Sequence, residues 1–95
     1  MDSSRSVQGL SALANETRLR VVERLAGSRT GEIGASELAA GLGISRPSLS
    51  MHLAILSASG LVTARRAGRT VSYALEREAL DALGRQLVAL ADRTV

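Results

Sequence analysis

The stretch "ASELAAGLGISRPSLSMHLAILSA", residues 35–58, contains two helical patterns that follow each other closely. In the first pattern, Leu38 and Leu42 recur at the spacing of one helix face. Ser36 is expected to cap this helix, because a serine oxygen accepts hydrogen bonds from the free N–H groups of a first turn. Gly43 is expected to end it. Two helices joined by so short a glycine-containing turn predict a helix-turn-helix.

The second helix of this unit has an apolar face and a polar face. Ser45 can cap it, and Pro47 suits its first turn, where the missing backbone N–H is not needed. The buried face is predicted to carry three leucines at i, i+4 and i+7, namely Leu49, Leu53 and Leu56. The residues predicted on or near the other face are Arg46, Ser48, Ser50, Met51 and His52.

A strand-like segment, "LVTARRAGRTVSYAL" at about residues 61–75, follows the second helix. Gly68 lies in the turn-forming stretch "RAGR", which predicts a two-stranded antiparallel hairpin with an arginine-rich tip. A hairpin directly after a helix-turn-helix is a wing. The predicted fold is therefore a mainly α winged helix-turn-helix with the order α-α-α-α-β-β-α, a small β-hairpin and a short extra strand near Ile33.

Another helix is predicted from the segment "NETRLRVVERLAG", residues 15–27. Either Asn15 or Thr17 can cap it, and Gly27 is expected to end it. Arg18 lies among glutamates of the same helix, so side-chain pairing within the helix is its expected role and no base contact is assigned to it.

Helical patterns also occupy both ends of the chain, at about residues 6–14 and 77–92. A last helix in so small a chain has little core left to cover, so pairing with a second subunit is favoured over packing inside one protomer. The predicted homodimer interface consists of Val7 and Leu10 in the first helix and of a leucine seam in the last, Leu80, Leu83, Leu87 and Leu90.

Composition limits the classes of function. The 95 residues suffice for one domain, so a further layer of function is expected to come from self-association. All 12 basic residues are arginine, against 9 acidic ones, and the net charge of +3 suits a polyanionic partner. The absence of cysteine excludes disulfides and thiolate metal sites, and it fits a reducing compartment.

Neither a membrane protein nor an enzyme is indicated. No stretch approaches the roughly 20 apolar residues of a membrane span. The start, "MDSSRSVQGL", lacks the apolar run of a signal peptide, so a cytoplasmic location is expected. The sequence offers no paired carboxylates, nucleophile–base pair or Gly-rich phosphate loop, and no cofactor is predicted. His52 is the chain's one imidazole, so no metal site is predicted either.

The polar face of the second helix is predicted to contact double-stranded DNA. In a winged helix-turn-helix the N-terminal part of this helix enters the major groove, where Arg46 would donate two parallel hydrogen bonds to guanine. Arginines of the hairpin would approach neighbouring phosphates or the minor groove. The predicted DNA contacts are Ser45, Arg46, Ser48, Ser50, His52, Arg65, Arg66 and Arg69.

A protein-interaction or dimerisation module without operator binding is the alternative function, because a fold does not fix a function. The placement of the arginines favours DNA, since an interaction module has no reason to line a recognition helix and a wing tip with cationic groups. Arg65 and Arg66 also have a second interpretation, as charges that protect an edge strand from aggregation.

Three segments, "LANETRLRVVERLAG", "ASELAAGLGISRPSLSMHLAILSASGLV" and "ARRAGRTVSYAL", resemble successive signatures of the ArsR/SmtB-type winged-helix repressors and cover about residues 10–75. The resemblance implies a cytoplasmic homodimer that binds an operator and releases it when an effector binds. It also implies that Ser45, Arg46, Ser48, Ser50 and His52 occupy recognition-helix positions and that Arg69 lies at the wing tip.

The chain departs from this family pattern in two respects. Met51 stands where the family often has a basic or polar residue. The cysteine pair and the histidine–carboxylate sites of the metal-sensing members are missing. Because these ligands are missing, we expect release of the operator to be driven by a small apolar molecule at the dimer seam, or control by expression level alone, in place of a transition metal.

Overall fold

The computed structural model describes residues 3–93. Along this part of the chain five helices and three strands follow the predicted order, and Ile33 lies in a short first strand. The elements are α1 (Ser3–Leu13), α2 (Glu16–Ala26), β1 (Glu32–Gly34), α3 (Ala35–Leu42), α4 (Arg46–Ala58), β2 (Val62–Ala67), β3 (Thr70–Leu75) and α5 (Arg77–Ala91). None of these helices is both long and apolar enough to cross a bilayer.

The three strands form one antiparallel sheet in the order β1-β3-β2. Ala67 pairs with Thr70 at the end of the β2–β3 hairpin, so the hairpin loop consists of Gly68 and Arg69. Gly68 has a φ of +62°, a left-handed conformation that glycine adopts without a steric penalty. The predicted hairpin turn is therefore confirmed, with Arg69 at its tip.

The core lies where α2, α3 and α4 pack together above the sheet. The predicted apolar face of α4 is confirmed, because Leu49, Leu53 and Leu56 are all buried. Leu25 of α2 and Leu38 of α3 are buried beside them in the same apolar cluster. This packing fixes which side of α4 faces inward and which side faces solvent.

The turn between α3 and α4 uses the predicted caps at Gly43 and Ser45. Gly43 has a φ of +69° and ends α3. The Ser45 hydroxyl oxygen accepts a 3.2 Å hydrogen bond from the Ser48 N–H at the start of α4. The expected cap at Ser36 is wrong, since Gly34 precedes α3 and Ser36 lies inside its first turn.

Helices α1 and α5 pack against each other through small residues on α1. Ser6, Gly9 and Ala12 form the buried side of α1, and the Ser6 hydroxyl hydrogen-bonds to Gln86 of α5. Leu83 of α5 fills the space above Gly9, where an added Cβ would lie 3.1 Å from a Leu83 methyl carbon.

The placement of Leu83 in the predicted subunit interface is therefore wrong. The Leu83 side chain is 2% exposed within a single protomer and has no surface left for a partner. Leu80 is also partly buried, against the protomer's own core. By contrast, every described residue of α5 from Leu87 onward is exposed, so the second half of this helix extends beyond the core.

Candidate nucleic-acid interface

The solvent-facing side of α4 follows from its buried leucines. Residues two positions apart in an α-helix differ by about 200° around its axis. The residue two positions before each buried leucine therefore lies on the opposite side of α4. Those residues are Pro47, Met51 and Ala54, and all three are exposed. Of the predicted polar contacts, Arg46 and Ser50 are exposed beside this stripe, whereas Ser48 is half-buried.

The prediction that His52 lies on the exposed face is wrong. Its side chain is 9% exposed and lies on the inner side of α4. Its Nδ1 atom accepts a 3.3 Å hydrogen bond from Nη1 of Arg18, and since a guanidinium has no acceptor, the ring proton of a neutral His52 lies on Nε2. In this position His52 links α4 to Arg18 of α2.

Arg18 links three helices through its guanidinium. Besides the bond to His52 in α4, its Nε donates a 2.6 Å hydrogen bond to the carbonyl oxygen of Ala12, near the end of α1. The expected pairing with glutamates of α2 is therefore replaced by contacts with two other helices. Sequence reasoning missed this role because the acceptors are a carbonyl group and a residue 34 positions away.

Arg46 and Arg69 both line a cleft of about 380 Å³ between the start of α3, the start of α4 and the tip of the wing, and Glu37 lines it as well. Arg46 donates a 2.8 Å hydrogen bond from Nη1 to the hydroxyl oxygen of Ser36, which holds its guanidinium at the mouth of the cleft. Two arginines from distant parts of the sequence thus border one surface depression, and each retains further N–H donors for an anionic partner.

The two adjacent arginines of β2 lie on opposite faces of the sheet, because side chains alternate along a strand. Arg65 forms a 3.4 Å ion pair with Glu32 of β1, and Glu32 also accepts a hydrogen bond from Ser72. Arg66 lies opposite Val71, a residue of the cleft. Arg66 therefore lies on the same face of the sheet as Val71, and Arg65 lies on the other face, exposed beside Glu32.

Metal ligands are not gathered in this structure. Within residues 3–93, no group of three or more His, Asp or Glu side chains lies close enough together to hold a metal ion. The one imidazole, that of His52, is buried with its Nδ1 bonded to Arg18. Among these residues, the thiolate and clustered imidazole ligands that transition metals prefer are not brought together.

Both α1 and α5 carry exposed large apolar residues. Val7 is 65% and Leu87 43% exposed, and the others are Leu10, Val88 and Leu90. Sequence reasoning missed Val88 because it lies outside the leucine spacing. Asp81 and Arg85 pair at 2.6 Å on the same helix, and the hydrogen bond and charge of Asp81 raise the pKa of the Arg85 guanidinium.

Comparisons with known proteins agree with this geometry. A helix-turn-helix domain family matches residues 13–65. The HTH-type transcriptional regulator Rv2034 of Mycobacterium tuberculosis is 44% identical over 72 residues, which are 76% of this chain and 64% of that protein. The crystal structure of an ArsR family transcriptional regulator, RHA00566, matches with a TM-score of 0.80 and 30% identity over 93% of both chains. The chain belongs to the ArsR/SmtB-type winged helix-turn-helix family.

Other similar members of the family have named roles. The arsenical resistance operon repressor of Escherichia coli is 42% identical over 69 residues, 73% of this chain and 57% of that protein. The transcriptional activator HlyU of Vibrio cholerae is 37% identical over 82 residues, 86% of this chain and 73% of that protein. The match to this chain thus covers less than two thirds of Rv2034 and of the Escherichia coli repressor.

A solution structure is also similar to this chain. It is that of Mb0332 from Mycobacterium bovis, described as a homodimeric winged helix-turn-helix DNA-binding domain, with a TM-score of 0.75 and 27% identity over 94% of this chain and 81% of that one.

Proposed function

We propose that this chain is a sequence-specific DNA-binding transcriptional repressor that acts as a homodimer. The observation that carries the proposal is the convergence of Arg46, from the start of α4, and Arg69, from the wing tip, on one cleft. A duplex whose major groove receives α4 would present its phosphates to the neighbouring wing. The two guanidinium groups are therefore suited to base contact at Arg46 and to backbone contact at Arg69.

The proposed division of the domain follows from these positions. Residues of about 35–58 form the helix-turn-helix, and residues of about 61–75 form the wing. The terminal helices, about residues 6–14 and 77–92, provide the dimer interface. The proposal retains these predicted DNA contacts: Ser45, Arg46, Ser48, Ser50, Arg65, Arg66 and Arg69. It omits His52, which is buried.

The proposed dimer interface is the apolar surface of α1 and α5, with Val7, Leu10, Leu87, Val88 and Leu90. A small domain rarely exposes a contiguous apolar surface without a partner to cover it. The homodimeric state of the Mb0332 domain supports a second copy as that partner. Two-fold symmetry then calls for paired half-sites with centres about 10–10.5 bp apart, or a multiple of that distance.

The proposed regulation does not use a transition metal, because residues 3–93 do not bring three potential metal ligands together. Release of the operator would come from a small apolar molecule bound at the surface of α1 and α5, or control would be exerted by the amount of protein alone. We assign repression on the likeness to the Escherichia coli repressor. A reporter gene placed behind the selected operator tests that assignment against activation, the role named for HlyU.

The test of DNA binding is selection of duplex fragments from the source genome by the purified protein, followed by titration of labelled operator. Arg46→Ala should cost about 1–3 kcal/mol of binding free energy and relax the preference at one base position. Arg69→Ala should weaken binding to all sequences alike and reduce the slope of log K against log salt concentration by about one unit.

Arg29→Ala is a matched control, because it removes the same charge from a different end of the sheet. Gly34 lies opposite Ser72 and Glu32 opposite Ala74, so residue 29 lies beyond the end of the sheet that is farthest from the wing tip. Equal losses from all three variants would contradict the assigned contacts. Failure of the unmodified protein to select any duplex would favour the protein-interaction module instead.

A further inference from the structure

The exposed side of α4 is short of the side chains that usually read bases. The helix has the sequence "RPSLSMHLAILSA", which contains no Asn, Gln, Asp, Glu or Lys. The middle of its exposed stripe is Met51, whose side chain is 55% exposed. Pro47 precedes it by one turn and Ala54 follows it by one turn, and both are apolar. A thioether therefore occupies the centre of the surface proposed to enter the groove.

The chemistry of the major groove limits what this surface can read. Adenine is typically read by the amides of Asn or Gln, cytosine by carboxylates and guanine by Arg or Lys, whereas the C5 methyl group of thymine is read by apolar contact. Among the described residues of α4, Arg46 is the one suited to guanine, and it lies at the helix start. At the centre of the stripe, the matching feature of a base pair is the thymine methyl group.

We propose that Met51 is a specificity-determining residue that reads the C5 methyl group of a thymine in each operator half-site. This inference rests on the proposed function, in which α4 enters the major groove. The methionine side chain is unbranched and adaptable, so it can follow a methyl group without a fixed donor–acceptor geometry. Its contact removes apolar surface of both groups from water.

DNA is favoured over an apolar protein partner by the arginines at the start of α4 and on the wing. Arg46 lies on the same helix as Met51, and Arg69 borders the cleft beside that helix. Arg66 lies opposite Val71, which lines the same cleft. An apolar protein surface that covered α4 and the wing together would leave these guanidinium groups without anionic partners, at a cost in desolvation. A duplex presents phosphates to the arginines and methyl groups to the methionine at the same time.

The experiment removes the methyl groups one at a time. Once selection has given the operator, each thymine is replaced by deoxyuridine, which lacks the C5 methyl group and keeps the same hydrogen-bonding edge. At one thymine position of the half-site, replacement in a single half-site should lower the affinity of the unmodified protein about fourfold, the equilibrium equivalent of burying one methyl group. Replacement in both half-sites should lower it about fifteenfold, because the two sites of a dimer contribute alike.

The variants assign this effect to one side chain. Met51→Ala should bind the thymine and deoxyuridine operators equally well, and Met51→Gln should shift the selected base at that position from thymine toward adenine. Ile55→Ala is the matched control, since Ile55 is also an exposed apolar residue of α4 but lies one turn further from the helix start. It should keep the full deoxyuridine effect. Because Met51 is on the surface, far-UV circular dichroism should show all three variants folded.

Three results would overturn the inference while leaving the proposed function in place. The first is an operator in which no deoxyuridine replacement changes the affinity, the second is a Met51→Ala variant that retains the fourfold effect, and the third is an Ile55→Ala variant that loses the effect along with Met51→Ala. If the unmodified protein selects no duplex at all, the proposed function fails, and the inference fails with it. The third result would assign the contact to the helix as a whole.

Discussion

Leu83 and Leu87 lie one turn apart in α5 but in different surroundings, and substitution of each should have a different consequence. Leu83 is 2% exposed and packs against Gly9 of α1. Leu83→Ala leaves a cavity there, because an α1 backbone anchored on both sides cannot collapse into it, and the expected cost is about 2–5 kcal/mol. A domain with a stability of about 5–15 kcal/mol should then lose about 10–40 °C in Tm.

Leu87 is 43% exposed in the protomer, so its truncation to alanine should cost the protomer about 1 kcal/mol or less. Leu87→Arg places a charge in the middle of the proposed dimer interface. A buried charge without a partner costs several kcal/mol, and two-fold symmetry brings the second copy of the same charge to the same interface. The expected result is a folded monomer that no longer binds paired half-sites.

Sedimentation equilibrium over a wide range of protein concentrations measures the association of each variant, and urea unfolding followed by circular dichroism measures its stability. Leu83→Ala should remain dimeric under native conditions but unfold at lower urea concentration. Leu87→Arg should be monomeric with a folded protomer. A Leu87→Arg protein that stays dimeric would refute the proposed interface, and a Leu83→Ala protein as stable as Leu87→Ala would refute the packing of α1 on α5.

Three further predictions concern the anchoring of α4, the turn before it and metal ions. His52→Ala should lower the free energy of unfolding by about 1–3 kcal/mol, since it removes a buried ring and leaves Arg18 without one acceptor; a loss of operator affinity with unchanged urea stability would contradict its inward position. Gly43→Ala should cost about 1–2 kcal/mol in the same assay, because alanine is strained at a φ of +69°, and an unchanged midpoint would contradict that backbone conformation. Micromolar zinc, nickel or copper should change operator affinity by less than about threefold, and saturable release that a chelator reverses would show that a metal site exists.

The periodic features of the sequence predicted the elements of the fold. Three leucines at i, i+4 and i+7 fixed the buried side of α4, and Gly43 with Ser45 marked the turn before it. Each of these signals is local, because it depends on residues within one or two turns of helix. The prediction of a cap at Ser36 was wrong because a serine caps a helix only where the chain enters it, and Gly34 occupies that position.

The errors at His52 and Leu83 have different physical origins. His52 lies three residues after Leu49 and four before Leu56, so the leucine spacing already placed it on the inner face; its polarity argued for the opposite assignment, and its partner Arg18 is distant in sequence. For Leu83 the leucine spacing carried no information about the partner. Leucines at intervals of three and four pack equally well inside a protomer or between two protomers. Leu83 packs inside the protomer because Gly9 of α1 has no side chain and leaves space for it.

The two chemical characters of the proposed DNA surface imply a division of roles between affinity and specificity. Contacts from arginines to phosphates contribute to binding at every sequence, and their contribution is screened by salt. The exposed side of α4 adds few hydrogen-bonding groups, so sequence preference must come from a small number of contacts, with Arg46 and Met51 at different turns of the helix. Each such contact discriminates weakly, but a symmetric dimer makes each of them twice, and the free energies of discrimination of the two half-sites add. In the proposed dimer, specific recognition therefore depends on the pairing of protomers through α1 and α5 as much as on the recognition helix.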